Sequence, residues 1–225
     1  MSNVRHQAPI ESTNPIKQVL SNVYFNLFDL ICLNLFFIIG CIPVLTIPNA
    51  INSLTKVNLD IITNNNTKPL KNFWRTYFTF NKRWLFSSFI YTMVLTVLSY
   101  GLLIYLSTNT SSIFFWALCG FDIVAIILLI MIGFYLFPLL IFSELDPRTV
   151  WKHALGMVVV EIKSTIVIFI CVLFFWIVCF KFFFNTWIVF LLIAFSLSNF
   201  FITFFSRQSL AKYFLQFQLD PINEQ

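Results

Sequence analysis

The chain has 225 residues, of which 59% are hydrophobic and only 10% are charged. A soluble domain is usually about a quarter charged and at most half apolar. This composition, with a mean hydropathy of +0.87, therefore excludes a soluble enzyme, a disordered chain and a disulfide scaffold. We expect an all-α integral membrane helical bundle. The formal charge of +5 is interpreted as basic residues held at the cytoplasmic face rather than as nucleic-acid binding.

The N-terminal part of the chain combines a polar segment with an apolar run. Residues 1–24 are polar, with a short interfacial helix predicted over residues 16–25. The run Phe25–Ile47 is too long for a signal-peptide core and lacks a small-residue cleavage site, so we expect it to be retained. A helix break is predicted near Cys41 or Pro43, because proline removes a backbone donor and clashes with the preceding turn.

Four further apolar runs are each near or above the length needed to cross a membrane. The transmembrane region is therefore predicted to cover residues 25–205, followed by a cytoplasmic tail over residues 206–225. Short connections at Ser107–Ser112 and Asn185–Thr186 predict two antiparallel hairpins. With the first run, the predicted spans are about five: 25–47, 85–106, 113–142, 164–183 and 187–205.

The distribution of Lys and Arg predicts the orientation. With five spans, eleven basic residues fall on one side of the membrane and three on the other. The positive-inside rule then places the N-terminus outside and the C-terminus inside. The alternative is a first run that only dips into the membrane, which leaves four spans and an N-terminus inside.

Two amphipathic segments are predicted on the cytoplasmic side. Lys68–Trp84 interleaves basic and aromatic residues, as in segments that lie among anionic lipid headgroups. The second segment starts at Asp146 and Pro147, a typical helix N-cap and first position, and it carries an apolar face at Trp151, Leu155, Val158 and Val159. Both segments are candidates for contact with lipid or a partner protein, through Lys71, Trp74, Arg75, Lys82, Arg83, Trp84, Trp151 and Lys152.

Two acids, Asp29 and Asp122, lie within apolar runs, and Lys181 lies near the end of the fourth. Ionisable groups in a membrane tend to pair or to line a cavity. One hypothesis is an outward-facing polar pocket built by these three residues. The alternative, which we favour, is that Asp29 and Lys181 reach the interface while Asp122 bonds one neighbour. Uncharged polar residues in the runs are expected to join helices by hydrogen bonds: Asn34, Ser196, Ser198 and Asn199.

No arrangement of residues typical of an enzyme is found. The sequence has no HExxH, GxSxG or glycine-rich phosphate loop, and its five cysteines lie singly in apolar runs. We therefore expect no catalytic residues, no cofactor and no metal site.

The segment LNLFFIIGCIPVLTIPNAINSLTKV, Leu33 to Val57, resembles the opening motif of the YesL-like family, bacterial membrane proteins of unknown function (domain of unknown function 624). Asn34, Pro43, Thr46, Ile47, Ala50 and Leu54 match that motif in order, and Phe73 with Trp74 resembles the next conserved block. One departure is Pro48-Asn49, where the family has Gly-Pro.

The resemblance implies a multi-pass protein of a bacterial cytoplasmic membrane. Genes of the family often lie beside carbohydrate ABC transporters, which implies an accessory or scaffold role in a membrane transport system, with an ABC transporter subunit as partner. The alternative function is an autonomous transporter or channel for a small solute.

Overall fold

The fold was analysed in a computed structural model, which describes residues 21–43, 46–63, 68–79, 82–107, 113–142 and 146–219. Side chains are described for these residues except at positions 82, 83, 142, 182–192 and 212–219. The described part is helical throughout. The predicted N-terminal polar segment lies almost entirely outside it, although residues 21–25 form a helical turn.

In the part of the chain that the structure describes, seven helices are assigned in order: α1 (Leu27–Cys41), α2 (Ile47–Ile62), α3 (Pro69–Phe78), α4 (Lys82–Ser107), α5 (Ile113–Phe142), α6 (Pro147–Val160) and α7 (Ile162–Leu219). Within the described residues, three helices are long and apolar enough to cross a membrane: Trp84–Ser107, Ile113–Ile141 and Ile162–Lys181. The coarse prediction of an all-helical protein with helices long and apolar enough to span a membrane is therefore confirmed for the described residues.

The break predicted near Cys41 or Pro43, close to the end of the first apolar run, is present. α1 ends at Cys41, and Ile42 and Pro43 form a bend. α1 has 15 residues and is about 22 Å long, and the helical turn at residues 21–25 directly precedes it.

α2 returns alongside α1 after this break. A Cβ placed on Gly40 would lie 3.5 Å from Ala50. Farther from the bend, Asn34 of α1 and Asn58 of α2 both bind the backbone of Ser196. Since these pairings are antiparallel, α1 and α2 form a helical hairpin whose two open ends lie on the same side.

α2 lies at the centre of the bundle, where it packs on α1, α3, α4, α5 and α7. Thirteen of its 16 residues are buried, and these include Asn49, Asn52, Ser53, Thr55 and Asn58. The predicted spans left most of this stretch in the connection between residues 47 and 85. It is instead a helix of the core, and Pro48 lies in its first turn, where proline is tolerated.

α3 also packs inside the bundle. Phe73 is fully buried and Tyr77 nearly so, and Phe36 of α1 stacks near Phe73 and Trp74 with ring centroids 6.2 and 5.4 Å away. The expected placement of this aromatic face on lipid is therefore wrong for Phe73 and Tyr77, because α1 covers them.

α4 and α5 form an antiparallel pair. Asp122 of α5 lies beside Gly101 of α4, while nearer the connection Tyr105 and Phe115 contact each other with ring centroids 5.7 Å apart. This arrangement confirms the first predicted hairpin. The connecting residues 108–112 lie outside the described residues.

α7 is helical over 58 residues, yet its two halves lie side by side. Ser164 and Ser209 would be about 68 Å apart along a straight helix, but the Oγ of Ser209 donates to the Oγ of Ser164 at 3.2 Å. Trp176 and Phe195 contact each other with ring centroids 5.3 Å apart. The midpoints of both pairs fall at residues 185–187, so these contacts confirm the predicted chain reversal near Asn185–Thr186. The side chains at the turn are not described.

Candidate functional site: a polar seam along α2

The polar residues of α2 recur at every third position. Asn49, Asn52, Thr55 and Asn58 therefore form a stripe that winds about half-way around the helix, because each step of three residues turns by about 300°. Every residue of this stripe is at least 96% buried. Burying polar groups inside an apolar bundle costs free energy unless each group finds a hydrogen-bond partner. We call this stripe and its partners the polar seam.

The first half of the polar seam joins α2 to α3 and α4. Asn49 donates from Nδ2 to the backbone carbonyl of Tyr77. Asn52 donates from Nδ2 to the Oγ of Ser88 at 2.8 Å, and the Ser88 hydroxyl is 3.0 Å from Oδ1 of Asn52. These contacts fix α3 and the start of α4 against the central helix.

The second half joins α2 to α7. Asn58 donates from Nδ2 to Oδ1 of Asn199 at 2.8 Å, and Asn199 donates from Nδ2 to Oγ1 of Thr55 at 3.1 Å. Thr203 donates to the carbonyl of Asn199 at 2.7 Å. The two amides are thus held in a closed set of contacts between two helices that are far apart in sequence.

Some buried polar atoms of the seam have no partner among the described residues. They include Oδ1 of Asn58 and Oγ of both Ser196 and Ser198. Asn58 is completely buried, and its Nδ2 bonds the backbone carbonyl of Ser196 at 3.4 Å. The unpartnered oxygens of Asn58 and Ser196 therefore belong to residues that contact each other. An unsatisfied buried oxygen costs about 1–3 kcal/mol, so this end of the seam suits a bound water or another hydrogen-bonding molecule.

A cavity of about 180 Å³ lies beside the polar seam, between α2, α4, α5 and α7. Thr55, Asn199 and Thr203 contribute polar groups to its wall. The rest is lined mainly by apolar side chains of α5, together with Tyr91, whose hydroxyl donates to the carbonyl of Leu129 at 3.2 Å.

The three charged residues suggested for a polar pocket lie on different helices. Asp29 is half-buried on α1, and Lys181 is exposed on α7. Asp122 is buried on α5 beside Gly101, and its Oδ2 has no hydrogen-bond partner among the described residues. No hydrogen bond or ion pair joins any two of the three in the part of the chain described. The pocket hypothesis thus gains no support from geometry.

Two of the four predicted helix-joining residues, Asn34 and Asn199, join helices through their side chains, whereas the Ser196 hydroxyl has no partner among the described residues. The Oδ1 of Asn34 accepts from the backbone N–H of Ser196 at 2.8 Å, and Asn199 binds Thr55 and Asn58. The prediction is confirmed for Asn34 and Asn199. The Ser198 hydroxyl is buried without a described partner.

The positions of the quoted family motif cluster at the α1–α2 hairpin and α3. Thr46 donates to the carbonyls of Gly40 and Pro43, at 2.9 and 2.7 Å, and so secures the bend. Ala50 and Phe73 are completely buried on either side of it. These residues stabilise one structural unit.

The residues suggested for partner or lipid contact fall into two groups. On α3, Lys71 and Arg75 are exposed, while Trp74 is half-buried against α1. On α6, Lys152 is exposed and Trp151 is half-buried 6.3 Å from the ring of Tyr91. Trp84 is half-buried at the start of α4, and the side chains of Lys82 and Arg83 lie outside the described residues.

α6 begins as predicted, with Asp146 at the N-cap and Pro147 at the first helical position, although the Asp146 side chain makes no capping bond. The buried face differs from the predicted one. It consists of Val150, Ala154, Met157 and Val158, whereas Leu155 and Val159 are exposed. Apolar residues occur at spacings of four, three and one twice on this helix, and the two sets are offset by one position. The set that contains the small Ala154 is the one that packs on α5.

The polar seam was not predicted from the sequence, although the sequence contains a signal for it. Asn49, Asn52, Thr55 and Asn58 repeat at three-residue spacing, which is close to the 3.6-residue turn of an α-helix and favours a helix over a loop. Searches with this chain find no matching protein family, no matching curated protein and no matching solved structure.

Proposed function

We propose that this chain is an accessory or scaffold component of a membrane transport system in a bacterial cytoplasmic membrane. A solute transporter of the ABC class is the partner that the YesL-like resemblance implies, with carbohydrate uptake as the process. The observation that supports an accessory role is that α6 carries apolar residues both on its buried face and on its exposed face.

α6 is anchored on one side and exposed on the other. Its buried face packs on α4, α5 and α7. Its outer face presents Leu155, Val159 and Val160, which are 53, 66 and 61% exposed. Arg148 and Lys152 are also exposed. A rigidly held helix with an apolar outer face and flanking cations suits docking of an apolar, acidic surface of a partner protein.

A pull-down in mild detergent tests this role. Tagged wild-type protein should retain a transporter subunit in stoichiometric amount. The double variant Leu155→Ser and Val159→Ser should lose it. The matched control is Val97→Ser with Leu106→Ser, which changes two residues of α4 that are 61 and 64% exposed. The docking role would be contradicted if the Leu155→Ser and Val159→Ser variant retained the subunit as the control does, or if the wild type did not retain it.

A second candidate function is autonomous transport of a small solute. The polar seam favours it, because a buried polar helix within an apolar bundle is costly and such groups often mark solute pathways. Purified protein in liposomes distinguishes the two functions. A transporter moves solute alone, whereas an accessory protein does not.

The α1–α2 hairpin supports the topology with four spans and an internal N-terminus, in place of the expected external one. The four spans are then α4, α5 and the two halves of α7. This arrangement assigns thirteen of the 14 Lys and Arg residues to the cytoplasmic side and leaves only Lys181 outside. The five-span topology divides the basic residues only eleven to three. The positive-inside rule favours the topology with the more unequal division, which here has four spans.

A further inference from the structure

We propose that the cavity beside the polar seam binds a small uncharged amphiphile, with an apolar body and one hydroxyl or amide group. This inference is independent of whether the chain acts as an accessory protein or as a transporter. It rests on the size of the cavity, on the chemistry of its wall and on the hydrogen-bonding groups that its polar residues leave free.

The cavity has the size of a small ring compound. Its volume is about 180 Å³, whereas an apolar protein cavity of about 150 Å³ accommodates benzene. A molecule of about eight non-hydrogen atoms therefore fits within the cavity.

The wall selects an uncharged and mainly apolar molecule. No charged side chain lines the cavity among the described residues, and the α5 wall is formed by residues such as Ile130, Phe134 and Phe137. A charged ligand would lose its hydration without gaining a counter-ion. The apolar part of the ligand would therefore lie against α5.

One edge of the cavity can bind a single polar group. Thr55, Asn199 and Thr203 lie together there. One amide hydrogen of Asn199 is used by Thr55, and the Thr203 hydroxyl donates to the Asn199 carbonyl. A side-chain amide carries two hydrogens and a hydroxyl can also accept. The remaining Asn199 hydrogen and the Thr203 lone pairs can thus bind a hydroxyl that both donates and accepts.

The test uses two probes of equal size, 4-fluorophenol and 4-fluorotoluene, with the full-length protein in detergent. Binding is followed by ¹⁹F NMR and corrected for partition into protein-free micelles. The phenol should bind saturably and roughly two- to tenfold more tightly than the toluene, which is the range of one neutral hydrogen bond. Thr203→Val removes one of the two contacts and leaves the Asn199 hydrogen, so it should reduce that preference without abolishing it.

Two filling variants locate the binding. Ile202→Trp and Ile130→Trp each place a large ring in the cavity from a different helix, and either should abolish saturable binding of both probes. Ile170→Trp is the control, because Ile170 is 58% exposed on the outer face of α7. Wild-type protein that takes up both probes no better than micelles would overturn the proposal. Unchanged binding in a folded filling variant would do the same.

Discussion

Asn58 of α2 and Asn199 of α7, 141 residues apart in sequence, bond side chain to side chain at 2.8 Å in the bundle core. This contact connects the helical hairpin at the start of the chain to its last helix. Because interhelical amide bonds in a membrane contribute about 0.6–2 kcal/mol each, the pair is a main element that positions α2.

Removal of this amide pair should destabilise the protein. Asn58→Ala eliminates the bonds to Asn199 and Ser196, so we expect a loss of about 1–2 kcal/mol in the free energy of unfolding in detergent. A double-mutant cycle with Asn199→Ala should show coupling of at least about 0.5 kcal/mol. Thr96→Ala is the control, because the Thr96 hydroxyl is exposed and bonds only its own helix. Additive losses from the two alanines would show that the contact is not formed.

Gly133 permits the close approach of α4 to α5. A Cβ at this position would overlap the Tyr91 hydroxyl and lie 2.8 Å from its Cζ. Gly133→Ala should therefore lower the unfolding temperature in detergent, and Tyr91→Phe should restore part of the loss because it removes the overlapping oxygen.

Gly156→Ala provides the matched control for that substitution. It lies in α6 with nothing within 4 Å of its added Cβ, so the change should stabilise the protein by about 0.5–1 kcal/mol through helix propensity. Equal effects at positions 133 and 156 would contradict the described packing of Tyr91.

The reversal of α7 predicts a cross-link. In a variant without the five native cysteines, Ser164→Cys with Ser209→Cys should oxidise to an intramolecular disulfide, because the two hydroxyl oxygens are 3.2 Å apart. Mobility in non-reducing gels after site-specific cleavage between the two positions measures it. Ser164→Cys with Ser198→Cys, about 16 Å farther along the second half, should stay reduced. Failure of the first pair to cross-link, whether or not the second pair does, would contradict the antiparallel arrangement of the two halves of α7.

Sequence patterns predicted the apolar helices well and the centre of the bundle poorly. Ile113–Phe142 was predicted with the bounds that the structure shows, since hydropathy alone defines a buried helix of 30 residues. Asp146-Pro147 marked the start of α6 because N-cap chemistry is local. In contrast, the burial of Asn49, Asn52 and Asn58 depends on partners distant in sequence. Composition alone assigns such residues to the surface.

The charged residues show the same limit. Asp29, Asp122 and Lys181 were grouped by their assumed depth, but depth does not specify which helices are neighbours. The outer face of α6 was likewise ambiguous, because two apolar faces one residue apart fit the same periodicity. Only the packing of Ala154 and Met157 distinguishes them.

α1 and α2 form a hairpin that returns to the side from which it starts. Its most direct test is the location of the two chain ends, measured by labelling single cysteines at Ser2 and Gln225 with a membrane-impermeant maleimide in intact cells and in permeabilised cells. Both cysteines should be protected in intact cells and should react only after permeabilisation. Labelling of position 2 in intact cells, with position 225 still protected, would contradict it and would favour a first helix that crosses the membrane.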